Sequence, residues 1–187
     1  MKSFSEKKLP EILEISTACQ SRLFTIQSVE LKFSNGIHRT YERFKSSGRA
    51  AVMVLPIEGE DLLMVREYAV GTERYELGFC KGGMEQGETP EQCANRELQE
   101  ELGLAANQFV HLRTVNSNPT FMNNPMHILL AQNFYPSKLV GDEPEPLEIV
   151  RFPLVKLDEL INNSEFSESR NLVAVYVLRD YLKNLQK

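Results

Sequence analysis

Six consecutive residues, Arg96-Glu97-Leu98-Gln99-Glu100-Glu101, concentrate charge in one short stretch of the chain. Wound as a helix at about 100° per residue, they place Glu97, Glu100 and Glu101 within an arc of roughly 100°. Ala94, Leu98 and Leu102 recur every four residues and mark a core-facing stripe beside that arc. Carboxylates so placed are partly dry and repel one another, so they do not all stay ionised unaided. A divalent cation resolves the conflict, and hard oxygen ligands suit Mg²⁺ or Mn²⁺. Arg96 lies beside Glu100 on the wheel and can fix a carboxylate's orientation. Upstream, Lys81-Gly82-Gly83-Met84-Glu85-Gln86-Gly87-Glu88 is rich in glycine, which allows a tight loop whose backbone approaches a metal or a phosphate. The natural client of such a site is a diphosphate, attacked by water while the cation neutralises its charge. A glutamate-rich helix taken alone is usually a solvated face, and it is the spacing of these residues that argues for more.

The elements that must position these segments follow from the surrounding pattern. Thr89-Pro90-Glu91-Gln92 has capping-box spacing with proline in the first helical position, and Gly103 is a left-handed stop. A single helix is therefore expected over Pro90 to Leu102. Before it, Leu23 to Ser34 reads as a strand, Asn35-Gly36 as a hairpin turn and Ile37 to Phe44 as the return. Ala50 to Ile57 is a short apolar run consistent with a buried strand. It turns at Glu58-Gly59-Glu60-Asp61 and returns over Leu62 to Tyr68. Tyr75 to Phe79 is a further extended piece. After the helix come strands near Phe109 to Val115 and His127 to Phe134, separated by an Asn- and Pro-rich loop, Asn116 to Pro125. An acidic loop, Gly141 to Glu148, precedes a short helix over Leu154 to Ile161. A long helix follows over Ser167 to Leu185, with Leu172, Val175, Leu178 and Leu182 on one face. Residues 1 to 9 read as a loose tail, and from Ile12 the pattern turns β-like. This order predicts a mixed α/β sandwich.

Composition narrows the function classes. A chain of 187 residues, 42% apolar and 25% charged, suits one soluble domain, or one domain with a small extension. No apolar run reaches the roughly 20 residues of a membrane span, and the polar, lysine-bearing start leads to no secretory signal. Cys19, Cys80 and Cys93 are odd in number and widely spaced, which argues against a disulfide framework and for a reducing, cytoplasmic setting. They offer no paired zinc-ligand spacing. A net charge of −5 without a basic run argues against nucleic acid as a partner. His38, His111 and His127 stand apart in sequence and are read as structural.

Gly82, Glu88, Arg96, Glu97, Glu100, Glu101 and Gly103 fill every fixed position of G-x5-E-x7-R-E-U-x-E-E-x-G-U, with Leu98 and Leu104 at its aliphatic positions. Seven identities at roughly one in fifteen each leave a chance match on the order of one in a million for this length. On these residues the chain resembles the Nudix hydrolases. The stretches Ser21-Arg22-Leu23-Phe24, Tyr41-Glu42-Arg43, Arg66 to Glu73, Tyr75 to Phe79 and Gly141 to Pro146 resemble the ADP-ribose pyrophosphatase branch, and within it the bacterial hydrolases of ADP compounds. Pro119, 15 residues after Leu104, stands where ADP-ribose-cleaving members carry a proline, and the tryptophan-containing motif of NADH-specific members is missing from this tryptophan-free chain.

The resemblance implies an α/β Nudix fold, with mixed β-sheets sandwiched between α-helices. Residues 49–187 would form the hydrolase domain, and residues 1–48 an antiparallel β extension that builds a homodimer and contributes to the partner's adenosine site. It implies Mg²⁺-dependent cleavage of ADP-linked compounds to a nucleoside monophosphate and phospho-X, Mn²⁺ being an alternative cation. By box position, Glu97 and Glu101 are metal ligands, and Glu100 binds metal or assists as base. The backbone carbonyl of Lys81 or Gly82 completes the shell, and Arg96 with Glu88 orients the ligands. Related enzymes draw a general base from a downstream loop. Asn116 to Pro125 has no acidic residue, so the acidic loop is left, with Glu145 or Glu143 as base. Arg43 and Arg66 are candidate contacts to phosphate or the terminal ribose. Glu76 is a candidate acceptor from adenine or ribose, and Phe121 a candidate stacking partner. Each of these four has an ordinary structural alternative. The competing functions are a Nudix hydrolase for another nucleotide class and a non-catalytic ADP-ribose-binding module.

Overall fold

The computed structural model of the protein describes residues 7–185; of the tail expected over residues 1–9, the first six lie outside the described residues. The chain divides into two compact units. The first runs up to Gly48 and also takes in Asn118–Asn124; the second comprises Arg49–Ser117 and the chain from Pro125 onward.

In the first unit, β1 (Glu11–Gln20), β2 (Thr25–Lys32) and β3 (His38–Phe44) form an antiparallel sheet in that order. Asn35-Gly36 makes the β2–β3 turn, where the Phe33 N–H donates to the Ile37 carbonyl at 2.9 Å and the Ile37 N–H to Asn35 Oδ1 at 3.1 Å. β1 is a third strand beyond the two that the pattern delimits. All ten of its residues are exposed, so no inside–outside alternation marks it. Asn118–Asn124 joins this unit through two bonds: the Phe44 N–H donates to the Phe121 carbonyl at 2.9 Å, and Ser46 Oγ to the Asn123 carbonyl at 3.1 Å. The Phe44 ring lies 5.6 Å from that of Phe24 and 6.2 Å from that of Phe121.

The second unit is built on β4 (Ala51–Glu58), β5 (Asp61–Ala69), β6 (Arg74–Gly78), β7 (Cys80–Gly83), β8 (Leu104–Asn116), β9 (Pro125–Pro136) and β10 (Glu148–Pro153). They pair in the order β10-β5-β4-β9-β8, with β6 on β5 and β7 on β4. β4 and β9 are parallel, and the other pairs are antiparallel. β4 and β5 pair only at Ile57–Leu62 and Glu58–Asp61. They then part, and β7 and β6 take the freed edges.

One face of β4, with Met53, Leu55 and Ile57, packs with α2 (Leu157–Asn162) and α3 (Ser169–Leu185) through Leu157, Leu160, Val175 and Leu178. The other face, with Val52 and Val54, packs with Cys93, Ala94, Leu98 and Leu102. Cover on both sides explains why β4 reads as an unbroken apolar run, and it makes the expected mixed α/β sandwich.

The central helix departs from expectation in its last turn. α1 (Pro90–Glu97) starts as predicted: Gln92 N–H donates to Thr89 Oγ1 at 3.3 Å, and the Thr89 N–H to Gln92 Oε1 at 2.9 Å. From Leu98 to Leu102 the chain winds as a π-helix instead, ending at Gly103, whose φ is 70° and whose N–H bonds the Leu98 carbonyl five residues back. Side chains meet the needs of the wider turn. Gln99 Nε2 donates to the Asn95 carbonyl at 3.0 Å, and Asn95 Oδ1 accepts from the Ala106 N–H at 2.9 Å. The segment 137–139 takes the terminal carbonyls: Leu139 N–H bonds that of Gln99 at 3.1 Å, Lys138 Nζ that of Glu100 at 2.6 Å, and Ser137 N–H that of Gly103 at 3.0 Å.

Candidate active site

Arg96 is the hub of the charged cluster. Its Nε donates to Glu88 Oε1 at 2.9 Å and its Nη2 to Glu88 Oε2 at 3.2 Å, a two-pronged contact. Nη1 donates to Glu97 Oε1 at 2.6 Å and to Glu100 Oε2 at 3.0 Å, and Nη2 also reaches the Gly83 carbonyl at 3.0 Å. One guanidinium thus ties the helix to the glycine-rich segment. The hydrogen bonds from Arg96 hold the Glu88 carboxyl down at about 2, and the same bonds push Arg96 well above its usual range. Glu88 also accepts from the Glu85 N–H at 2.7 Å, which pins the loop before the helix.

Glu97 and Glu101 sit deeper. Glu97 is only 7% exposed. Arg96 favours its charged form, yet burial dominates and raises its pKa, with the charges of Glu100 and Glu143 adding to the rise. Burial lifts Glu101 to about 7, against the Lys81 N–H, which donates to its Oε1 at 3.2 Å. The buried Cys80 thiol lies beside Glu101, and burial pushes it well above an ordinary thiol. Gly82 has no room for a side chain: a Cβ there would lie 2.0 Å from Glu97 Oε1. β7, which the sequence reads as a loop, therefore lays its glycine backbone directly on a carboxylate. The pairing of Val52 with Gly82 fixes that approach.

These residues fit a hard divalent cation. The donors are all oxygens, two of them are costly to ionise in place, and Gly82 keeps a side chain out of their cradle. Among the described residues no three ligating side chains stand ready-converged, because the Arg96 guanidinium separates Glu97 from Glu100.

The structure sorts the remaining expected site residues. Glu143 and Glu145 line one cavity of about 660 Å³ with Glu100 and Glu101. Within it they face different ways. Glu145 accepts a hydrogen bond from the Tyr75 hydroxyl. Glu143 Oε2 lies 2.3 Å from where a Gly141 Cβ would be, a point 3.5 Å from Glu100 Cβ, and its charge acts on Glu97. Tyr75, packed edge-on to Tyr68 at 5.6 Å, was not singled out by sequence, since nothing in a strand tyrosine announces a loop partner 70 residues away. The Lys81 N–H serves Glu101, while its Nζ pairs with Glu67 at 2.6 Å. Arg66 pairs with Glu148 at 3.5 Å, at the end of the acidic loop. Glu76 is engaged on both oxygens, by Arg74 at 2.8 and 3.2 Å and by Thr72 at 2.8 Å. Arg43 and Phe121 belong to the first unit, where they line a cavity of about 970 Å³ with Tyr41 and Pro119. Arg43 Nε donates there to Gln27 Oε1 at 3.1 Å. His111 and His127, far apart in sequence, are neighbours in space.

A NUDIX domain model matches residues 47–175, and a NudE-type Nudix hydrolase N-terminal domain model matches residues 10–43. The chain belongs to the Nudix hydrolase family and is an enzyme of that family. Among curated relatives, the Escherichia coli protein named ADP compounds hydrolase NudE is 48% identical over 93% of this chain and 94% of its own. The Bacillus subtilis ADP-ribose pyrophosphatase is 27% identical over 89% and 94%. A crystal structure of an ADP compounds hydrolase superposes with a TM-score of 0.94 at 46% identity, covering 97% of this chain and 98% of that one.

Glu101 sets a pH dependence of stability. Its folded pKa of about 7 lies above the ordinary 4.5, so in that window the folded chain keeps a proton that the unfolded chain releases. The stability that Glu101 contributes is complete below the lower value and is lost as pH rises through the upper one. Between about pH 5 and about pH 8, metal-free wild type should lose melting temperature relative to Glu101→Gln. Thermal unfolding of both in EDTA checks this, and parallel curves would remove Glu101 from a dry environment.

Proposed function

We propose that the chain hydrolyses the pyrophosphate bond of ADP-linked compounds such as ADP-ribose, NADH and diadenosine polyphosphates, giving AMP and phospho-X. The observation that carries this reading is Arg96 holding Glu97 and Glu100, with Glu101 next along the turn on the Lys81 N–H, in a chain 48% identical to an ADP compounds hydrolase. Glu97 and Glu101, with Glu100, would hold Mg²⁺ or Mn²⁺, and the Lys81 or Gly82 carbonyl remains a candidate further ligand. A cation so held neutralises the diphosphate and acidifies a water. Arg96 and Glu88 act by fixing the carboxylates, as supporting groups do around metal sites.

In the reaction a water oxygen bonds to one phosphorus, the bridging P–O bond breaks, and the water's proton passes to a base. Glu143 is the better candidate for that base. Its charge is felt at Glu97, whereas Glu145 is committed to Tyr75. Tyr75 and Glu145 then hold the loop that presents Glu143. Arg66 is the favoured phosphate contact, and its pairing with Glu148 is exposed and easily exchanged. Glu76, already saturated, is better read as structural. Arg43 and Phe121 offer a cation and a ring within the first unit's cavity, which suits a nucleoside.

The first unit also supports a homodimer. Ile12, Ile15, Leu23, Phe24 and Tyr41 are each at least 45% exposed, more apolar surface than a three-stranded sheet usually leaves bare. All three cysteines are free, which fits the cytoplasm. No helix among the described residues is long and apolar enough to cross a membrane.

Three measurements test these readings. With Mg²⁺, product analysis on ADP-ribose, NADH, diadenosine triphosphate and 8-oxo-dGTP should give AMP from the first three and nothing once EDTA is added. Turnover of 8-oxo-dGTP alone would move the substrate class. Glu143→Gln should lower kcat by at least about 100-fold, the usual worth of a general base, and Glu145→Gln by much less; the reverse order makes Glu145 the base. Sedimentation should give a dimer that Phe24→Glu weakens, and a wild-type monomer ends the dimer proposal.

A further inference from the structure

β8 carries a bulge between His111 and Arg113: His111 pairs with Leu129, Arg113 with Ile128 and Thr114 with His127. In a regular strand, residues three apart face opposite sides. The extra residue turns His111 and Thr114 to one side, where His127 of β9 also points. His111 Nε2 lies 3.0 Å from Thr114 Oγ1, and His127 Nδ1 lies 2.9 Å from the same oxygen. The two rings are 5.6 Å apart and inclined at 61°. Two imidazole nitrogens on different strands are thus aimed at a single point.

The hydroxyl cannot donate to both nitrogens. At least one ring therefore donates to it, and both rings turn a nitrogen toward the same oxygen. Burial and the neighbouring His111 lower the pKa of His127, which keeps it in the form that binds metals. The charge of Glu91, at the start of α1, also acts on His127 and favours a cation there. His111 and Thr114 are exposed and His127 is half-buried, so a hydrated ion can reach them. None of these residues belongs to the carboxylate cluster.

We propose that His111 and His127 form a second metal site, for a borderline divalent transition ion such as Zn²⁺, Ni²⁺ or Cu²⁺. Imidazole nitrogen suits these ions, and Mg²⁺ prefers the oxygens of the glutamate cluster. A rotation of the Thr114 side chain clears the point between the rings. Two nitrogens then bind the ion, and water completes its shell. Bridging β8 to β9, the ion staples the outermost strand of the sheet.

The three histidines provide the test. Ni²⁺ is added to the full-length protein in excess Mg²⁺, and the ring C–H signals are followed by NMR. Paramagnetic broadening should strike His111 and His127 together and spare His38. Zn²⁺ calorimetry under the same conditions should show one binding event that vanishes in His127→Gln and in His111→Gln but survives in Thr114→Val. Equal broadening of all three rings, or a Zn²⁺ isotherm unchanged in the double glutamine variant, overturns the proposal. Wild-type Mg²⁺-dependent activity in the variants is expected, and it separates this site from the glutamate cluster.

Discussion

Everything in the active centre rests on keeping several carboxylates close together away from bulk water. Like charges in a partly dry place repel, and Arg96 is what makes the arrangement tolerable. Its five donors are spent on Glu88, Glu97, Glu100 and the Gly83 carbonyl. A lysine offers the charge without the planar fork, so it could not span the same partners in fixed directions. The cost left over falls on Glu97 and Glu101, whose pKa values stay raised despite nearby cations and N–H groups. That residual cost is what makes the site receptive to a divalent ion.

The fold serves this constraint from both sides. β7 brings a backbone without a side chain against Glu97, and the helix brings the carboxylates. The π-turn spreads Leu98 to Leu102 more widely than an α-helix would while keeping Leu98 and Leu102 in the core. Such turns are rare and recur at functional sites. Here the wider turn is maintained by specific partners, Gln99 on the Asn95 carbonyl and the 137–139 segment on the helix end.

Much of this was readable in the residues because the information is local. A helix places side chains by their spacing, so the box Gly82 to Leu104 declared its cluster, its capping threonine and its stop. β4 declared itself by an unbroken apolar run. What escaped reading depends on distant partners or on small departures from regular geometry. β1 shows only as a β-like pattern from Ile12, without an end, because both its faces are exposed. β7 hides because glycines resemble a loop, and the π-turn because the hydrogen-bond shift leaves no compositional trace. Glu143 and Glu145 look alike on paper, and their surroundings separate only once Tyr75 arrives from β6. The two histidines look unrelated until a bulge and a strand pairing bring them together.

The parallel pairing of β4 with β9 matches Ala51 to Met126 and Pro56 to Ala131. The glutamate-bearing helix and the four strands β5 to β8 lie within the chain that this pairing closes. Closing so long a loop is entropically slow, and its reward comes only with the completed sheet. During synthesis the glutamates leave the ribosome well before the strand that completes their supporting sheet. A nascent chain ending ahead of β9 therefore carries the glutamates of the helix without the strand that completes their sheet, and without Glu143.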